Sequence, residues 1–247
     1  MTKWGTLPYD LALDVDRVHV WLFDLDNLCQ EIPAWERLLS EQETVRSKRY
    51  RFERDRLRFI TRRGILRQLL GEYTGLEPSA ITYHTNPQGK LSLPFQPLKF
   101  NLSSCQNRVV FAFVMEKEIG VDLEQVHTFP ELGRTAKYWL SPVEQAGLFT
   151  LAPEIQMEAF FHIWTQKEAF LKACGEGLSL PLQDFSVSID PNLPGGLLSS
   201  RDDVEQVSAW RMYTHVPVVG WRVAVCVRAE TGAEIFWYMP ELTYFVP

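Results

Sequence analysis

The chain has 247 residues, of which 46% are hydrophobic and 13% aromatic, which is enough for a packed core in one large domain or two smaller ones. Its formal net charge of −6 disfavours a general nucleic-acid-binding protein. No apolar run approaches the roughly 18 residues of a membrane span, and no secretory signal pattern is present. We therefore expect a soluble, cytoplasmic protein that acts on neither membranes nor nucleic acids.

The four cysteines and five histidines show no recognisable metal or disulfide pattern. No C-x-x-C pair occurs, so we expect free thiols in a reducing compartment. Positive charge, by contrast, is concentrated. Between Arg46 and Arg67, ten Lys or Arg residues stand against two acidic residues, which makes this segment strongly cationic within an acidic protein.

Residues 18–23 predict a first strand, because β-branched and aromatic side chains dominate this run. A helix follows, in which Ser40 and Glu43 have the spacing of a capping box. Four apolar residues then recur every seven positions, which predicts an amphipathic helix that is broken near its start and ends near Gly75. These four residues are Phe52, Phe59, Leu66 and Tyr73.

The middle of the chain predicts a turn and then strands. Residues 86–89 read Asn-Pro-Gln-Gly, which is a turn sequence. Three apolar runs follow, at residues 100–103, 109–114 and 119–123, and they predict adjacent antiparallel strands.

The remainder predicts two helices and a return to strands. A capping box with proline at the first helical position starts a short helix after Ser141, and a longer helix runs from about Glu154 to Cys174, with Gly175 as its stop. Strands are predicted over 185–189, 210–213 and 221–227, with loops at 195–196 and 199–203. This order of elements predicts an α+β fold of two similar halves, residues 1–119 and 120–247.

Two charged motifs carry the functional signal. Asp122 and Glu124 are two residues apart in a strand, so both carboxylates point to one face, and Glu168 and Lys172 are one helical turn apart. Neighbouring carboxylates are tolerated when a divalent cation lies between them, so the motifs together indicate a magnesium and phosphate site. Each motif alone also fits an ordinary surface, as a solvent-facing strand edge or an exposed ion pair.

Three strings resemble the signatures of 4′-phosphopantetheinyl transferases of the large, surfactin-synthetase-activating (Sfp) type. They are FNLSSC at 100–105, GVDLE at 120–124 and WTQKEAFLKACGEGLSLPL at 164–182, and their order and separations also match. The resemblance extends over roughly residues 40–227. It implies an α+β fold built as a pseudo-two-fold pair of halves, each with a small antiparallel sheet packed on helices, and an active site in the cleft between them.

The resemblance implies a reaction in which a serine hydroxyl of an apo acyl or peptidyl carrier protein attacks the β-phosphate of coenzyme A and releases 3′,5′-bisphosphoadenosine. Asp122, Glu124 and Glu168 match the ligands of Mg²⁺, with Mn²⁺ as an alternative ion. Glu168 also matches the base for the serine, directly or through a metal-held water. Lys172 matches a residue that neutralises the departing phosphate. One chain holds both halves, which implies a monomer.

Coenzyme A, as substrate, needs further cationic and polar partners for its phosphates. By family match, coenzyme contacts are implied for Lys48, Thr61, Lys90, Ser103, Ser104, Asp122 and Lys172. The remaining basic residues of the cationic segment are either further partners or a solvated face. They are Arg46, Arg49, Arg51, Arg62 and Arg63.

Two departures from the family pattern concern the coenzyme. The family usually has a phosphate-contacting histidine where this chain has Ser104, and a hydroxyl carries no charge. This leaves two outcomes open: weaker coenzyme binding, or a neighbouring arginine that supplies the charge. The family's GKP turn reads Gly89-Lys90-Leu91, which weakens the prediction for the loop on the adenine side. Neither departure affects the metal ligands.

Two other functions fit part of the sequence. A Mg²⁺-dependent nuclease also uses acidic clusters near lysine, but the spacing of Glu168 and Lys172 differs from the usual acidic-x-Lys element. A coenzyme A-binding homologue without catalysis would fit the missing histidine, although all three carboxylates are present. The sequence identifies neither the carrier protein, nor its place in fatty acid, polyketide or nonribosomal peptide biosynthesis, nor the docking surface.

Overall fold

A computed structural model describes residues 11–27, 32–175, 180–200, 204–229 and 231–240. The helices are α1 (Ile32–Leu38), α2 (Glu41–Ser47), α3 (Glu53–Thr74), α4 (Leu132–Trp139), α5 (Pro142–Thr150), α6 (Pro153–Cys174) and α7 (Val204–Ala209). The strands are β1 (Arg17–Asp24), β2 (His84–Thr85), β3 (Leu91–Ser92), β4 (Leu98–Cys105), β5 (Arg108–Met115), β6 (Ile119–Gln125), β7 (Phe185–Val187), β8 (Leu197–Ser200), β9 (Trp210–His215), β10 (Trp221–Arg228) and β11 (Glu234–Tyr238).

Two main sheets organise the fold. The first sheet has the order β11-β1-β5-β4 and the second has the order β6-β10-β9. All neighbours are antiparallel except β1 and β11, which are parallel. Of the three strands that we predicted as adjacent, β4 and β5 pair with each other, but the prediction is wrong for β6, which pairs with β10. A short turn with Glu116 at φ 62° separates β5 from β6, and β6 belongs to the second sheet.

The molecule has four layers. Helices α1 and α3 pack on one face of the first sheet, and the second sheet packs on the other face. Helix α6 packs on the outer face of the second sheet. Alternate residues of β1 show this arrangement, because Trp21 and Phe23 face the helices whereas Val18, Val20 and Leu22 face the second sheet. The two long helices both span 22 residues and both end at a glycine in the left-handed conformation. These layers confirm the predicted α+β fold with two similar helix-on-sheet halves.

Several local predictions are confirmed. Capping boxes are present at Ser40 and Ser141, and the first long helix is broken into α2 and α3. The loop prediction for 199–203 is wrong at its start, because Ser199 and Ser200 pair with β7, while residues 201–203 lie outside the described residues. The boundary at residue 120 stays a prediction.

The described residues include three of the four cysteines. No helix there is long and apolar enough to cross a membrane. Cys105, Cys174 and Cys226 are free thiols, and Cys29 lies outside the described residues.

His162, which is completely buried in α6, predicts a pH dependence of stability. Burial lowers its pKa from 6.5 to about 4, so the unfolded chain binds more protons than the folded one between these values. The resulting stability is complete above about pH 6.5 and is lost as the pH falls towards 4. When the pH falls from about 7 to about 5, we expect the wild type to lose about 2 kcal/mol more of its free energy of unfolding than His162→Gln does.

Denaturant titrations at both pH values measure this difference, with His127→Gln as the matched control, because His127 is exposed. An identical pH dependence in the wild type and in His162→Gln would contradict the prediction.

Candidate active site

Strand β6 lies against the backbone of α6 because residue 120 has no side chain. A Cβ at Gly120 would lie 2.1 Å from the carbonyl oxygen of Ala169 and 2.3 Å from the backbone nitrogen of Ala173. Atoms at such distances overlap, so only glycine permits this approach. It brings the carboxylates of β6 beside the last turns of α6.

Lys172, Asp122 and Ser103 form a hydrogen-bonded cluster at this junction. The Lys172 ammonium donates to Asp122 Oδ1 at 2.6 Å and to Ser103 Oγ at 2.9 Å, and the Ser103 hydroxyl donates to Asp122 Oδ1 at 2.8 Å. Asp122 is buried, and its other oxygen, Oδ2, has no hydrogen-bond partner. A buried carboxylate oxygen without a partner is costly, so this position favours an additional cation or donor.

Glu124 and Glu168 extend the negative charge. Glu124 accepts hydrogen bonds from the Trp164 indole at 3.3 Å and from the Cys105 thiol at 3.4 Å. Burial, and then the charge of Asp122, raises the pKa of both Glu124 and Glu168. The three carboxylates therefore share one electrostatic environment, in which a bound cation would offset their repulsion.

These carboxylates do not form a closed metal cage by themselves. Within the described ranges, no group of three or more His, Cys, Asp or Glu side chains is arranged to hold an ion. One reason is that the Lys172 ammonium already occupies Asp122 Oδ1. Mg²⁺ usually takes one or two carboxylates and completes its shell with water and substrate phosphate, so this set of hard oxygen donors fits Mg²⁺ together with a bound phosphate.

A cavity of about 470 Å³ opens beside the cluster and is lined by α3, β4 and the turn after residue 87 on one side and by α6 on the other. A second cavity of about 590 Å³ extends it towards α2. Arg63, Gly89 and Leu91 line both cavities, so the two form one cleft. Its walls come from both halves of the chain.

The structure brings part of the predicted coenzyme set to the cleft. Ser103, Ser104, Lys90 and Lys172 line the first cavity, as does Glu168. The Lys90 ammonium, however, donates to Glu118 and to the Ala173 carbonyl, both at 2.9 Å, so it also ties the turn to the end of α6.

Two predicted coenzyme contacts lie apart from the cleft, and a third, Asp122, does not line it but contacts Lys172 and Ser103, which do. Lys48 is exposed at the end of α2, and Thr61 is completely buried in α3. Neither lines the two cavities. Their roles as coenzyme contacts stay predictions.

The sequence left open whether five arginines are coenzyme partners or a solvated face, and the structure shows which of them line the cleft. Arg62 and Arg63 line the first cavity, and Arg46 lines the second. Arg49 and Arg51 are exposed and line neither cavity.

Two residues that the sequence analysis did not single out support the site. Asn101 Oδ1 accepts from the backbone N–H of Val121 at 3.0 Å and so joins β4 to β6. Lys167 is completely buried next to Glu168, where it pairs with Glu144 at 2.9 Å. The helical period could have shown this burial, because position 167 lies on the apolar face of α6.

The chain is similar in sequence to known proteins of one family. Residues 118–226 match the model of the 4′-phosphopantetheinyl transferase superfamily. The chain is 33% identical to the 4′-phosphopantetheinyl transferase HetI of a Nostoc species over 239 residues. This alignment covers 95% of this chain and 98% of the relative. It is 30% identical to the 4′-phosphopantetheinyl transferase Sfp of Bacillus subtilis, over 76% of this chain and 81% of the relative. The crystal structure of Thermotoga maritima holo-acyl-carrier-protein synthase superposes with a TM-score of 0.37 at 23% identity, over 46% of this chain and 64% of that chain.

Proposed function

Because this chain belongs to the 4′-phosphopantetheinyl transferase superfamily, we propose that it transfers the 4′-phosphopantetheine group of coenzyme A to a serine of an apo acyl or peptidyl carrier protein. The second product is 3′,5′-bisphosphoadenosine. The observation that carries the proposal is the hydrogen-bonded cluster of Lys172, Asp122 and Ser103, because Lys172 and Ser103 line a cleft that both halves build. Since one chain supplies both walls, we propose that it acts as a monomer, and we propose the cytoplasm as its location.

In this proposal Lys172 and Ser103 bind the diphosphate of coenzyme A. The ammonium supplies a positive charge that offsets the negative charge developing on the departing phosphate. Ser103 accepts a hydrogen bond from Lys172 and donates one to Asp122, so the hydroxyl orients the lysine towards the cleft. The attraction between the ammonium and a phosphate is stronger here than in water, because the site is partly buried and its effective dielectric constant is lower.

Asp122, Glu124 and Glu168 would hold Mg²⁺, or Mn²⁺ in its place. The bound ion would neutralise the diphosphate and polarise the phosphorus towards attack. Support comes from the unpaired Asp122 Oδ2 and from the raised pKa of the two glutamates. The Trp164 indole, as a donor to Glu124, keeps that carboxylate turned to the same region.

Glu168 is the proposed general base for the carrier serine. It lines the cavity, and burial followed by the charge of Asp122 raises its pKa, which makes the carboxylate a stronger base than one in water. Lys172, one turn further along α6, opposes this shift and helps to keep Glu168 ionised. We expect Glu168→Gln to lower the rate of carrier modification by about 100-fold or more.

The test is incubation with several apo carrier proteins, coenzyme A and Mg²⁺, followed by mass spectrometry of the carriers. We expect the mass gain of one phosphopantetheine on at least one carrier, its loss with EDTA, and its recovery with Mg²⁺ or Mn²⁺. Glu154→Gln is the matched control, because Glu154 is exposed in the first turn of α6. Full activity of Glu168→Gln would exclude Glu168 as the base.

The same experiment separates the alternatives. Binding of coenzyme A by calorimetry, without a mass gain on any carrier, would indicate a non-catalytic coenzyme-binding protein. Degradation of plasmid DNA with Mg²⁺ and without coenzyme A would indicate a nuclease.

A further inference from the structure

A small hairpin forms part of the cleft wall and belongs to neither main sheet. Its strands, β2 and β3, have two residues each and form a separate two-stranded sheet. In the turn between them, residues 87–89 are exposed, and Gln88, Gly89 and Lys90 line the first cavity. A hairpin of this length is marginally stable at best in water, so contacts with other elements must hold it in place.

Apolar packing supports β3 but not the turn. Leu91 of β3 packs on the core of the first half. The turn, by contrast, is separated from β4 by a cavity of about 310 Å³, with Leu98 and Phe100 on one side and Asn86 and Lys90 on the other. Side chains on opposite sides of a cavity do not touch, so packing on β4 does not fix the turn. Polar contacts must do so.

Asn86 supplies such a contact, and it reaches the other half of the chain. Its Nδ2 donates to the backbone carbonyl of Gly175 at 2.9 Å, and its Oδ1 accepts from the backbone N–H of Lys90 at 2.8 Å. One side chain therefore closes the turn and joins it to the residue that ends α6. The Lys90 ammonium adds a second link, because it donates to the carbonyl of Ala173 at 2.9 Å.

These links end on the turn of α6 that carries Lys172. The last carbonyls of a helix have no partner inside the helix, and helix ends fray. Here the hairpin supplies donors to Ala173 and Gly175, which follow Lys172 closely in the chain. The Lys172 ammonium in turn donates to Asp122 and Ser103. The hairpin therefore holds the segment on which the position of Lys172 depends.

We propose that Asn86 is a positioning residue for Lys172. It ties the hairpin, which belongs to the first half, to the end of α6 and so sets the place of the Lys172 ammonium in the cleft. The inference rests on the proposed function for the reaction in which Lys172 acts. Asn86 lines neither of the two cavities that form the cleft, so it acts through the helix and not by contact with a substrate.

The experiment measures kcat and KM for coenzyme A with an apo carrier protein in the wild type, Asn86→Ala and Asn86→Asp. Aspartate keeps an acceptor for the Lys90 N–H but has no donor for the Gly175 carbonyl, so it breaks the link and keeps the turn. One hydrogen bond corresponds to about 10-fold, and a displaced reacting group can cost about 100-fold. We expect both substitutions to lower kcat within this range, with KM changed by less than about threefold.

A double substitution tests whether Asn86 acts through Lys172. In the Lys172→Met background, Asn86→Ala should lower kcat by less than about twofold, because the group that it positions is gone. Asn192→Ala is the matched control, because Asn192 also lies in a turn and its side chain donates to Asp190 within that turn. This control should be as active as the wild type. Circular dichroism verifies that each variant is folded.

Full kcat in Asn86→Asp, or equal losses from Asn86→Ala with and without Lys172, would overturn the proposal. Hydrogen exchange gives a readout that does not need catalysis. We expect Asn86→Ala to speed exchange of the backbone N–H groups in the last turn of α6 and not in the middle of that helix. If the wild type modifies no carrier, the proposed function fails, and the exchange then decides on the tie, which unchanged rates would refute.

Discussion

Lys167→Met is expected to lower the free energy of unfolding by about 3–5 kcal/mol, which is the usual cost of removing one partner of a buried ion pair. The side chains of Lys167 and Glu144 are both completely buried, with the ammonium 2.9 Å from the carboxylate. The ammonium also donates to the backbone carbonyls of Leu182 and Phe185, at 2.7 and 2.6 Å. Without it, a buried carboxylate and two carbonyl oxygens lose their donor. Denaturant titration followed by circular dichroism measures the loss.

A second variant separates the charge from the packing. Glu144→Gln in addition to Lys167→Met removes the unpaired charge and keeps an acceptor for the backbone N–H of Val187, which Glu144 now binds at 2.8 Å. We expect the double variant to be more stable than Lys167→Met alone, by a coupling of about 1–3 kcal/mol. Lys137→Met at an exposed position is the control, within about 0.5 kcal/mol of the wild type. A loss for Lys167→Met no larger than that of the control would refute the prediction.

Gly120→Ala is expected to reduce carrier modification by about 100-fold while the protein stays folded, because a displacement of about 1 Å at a reacting site can cost that much. The new methyl group would overlap the backbone of α6, at Ala169 and Ala173, rather than a side chain that can rotate away. Strand and helix must therefore separate, and the carboxylates of β6 move away from Lys172. Such overpacking also costs about 1–3 kcal/mol of stability.

The measurements are kcat/KM for a carrier protein and the free energy of unfolding. Gly133→Ala is the matched control, because residue 133 lies in α4 and its new Cβ would meet nothing closer than Phe149 at 3.9 Å. Alanine is a better helix former than glycine, so this control should be as active as the wild type and equally or more stable. Unchanged activity in Gly120→Ala would show that the close contact does not set the geometry of the site.

Local signals predicted much of the fold. The capping boxes at Ser40 and Ser141 and the glycine stops of α3 and α6 depend on neighbouring residues only, and they appear where the sequence indicates. Pairing between distant segments was not predictable in this way. An apolar run such as 119–123 fits either sheet equally well, and the structure shows that it pairs with β10.

The same distinction between local signals and distant contacts applies to the candidate site. Charged residues at fixed spacing within one element, such as Asp122 and Glu124, could be recognised from the sequence because the strand period places them on one face. Contacts between elements could not. The contact of Arg62 with Ser104 and the burial of Thr61 in α3 are examples, and both are visible only in the structure.

The parallel pairing of β1 with β11 has a consequence for the order in which the protein can be completed. β1 ends at residue 24, whereas its partner β11 ends at residue 238, so β1 is synthesised long before β11. Until that residue is synthesised, one edge of the first sheet has its backbone groups unpaired, and such edges are open to association with other chains. The growing chain therefore depends on β11 to protect the edge of β1.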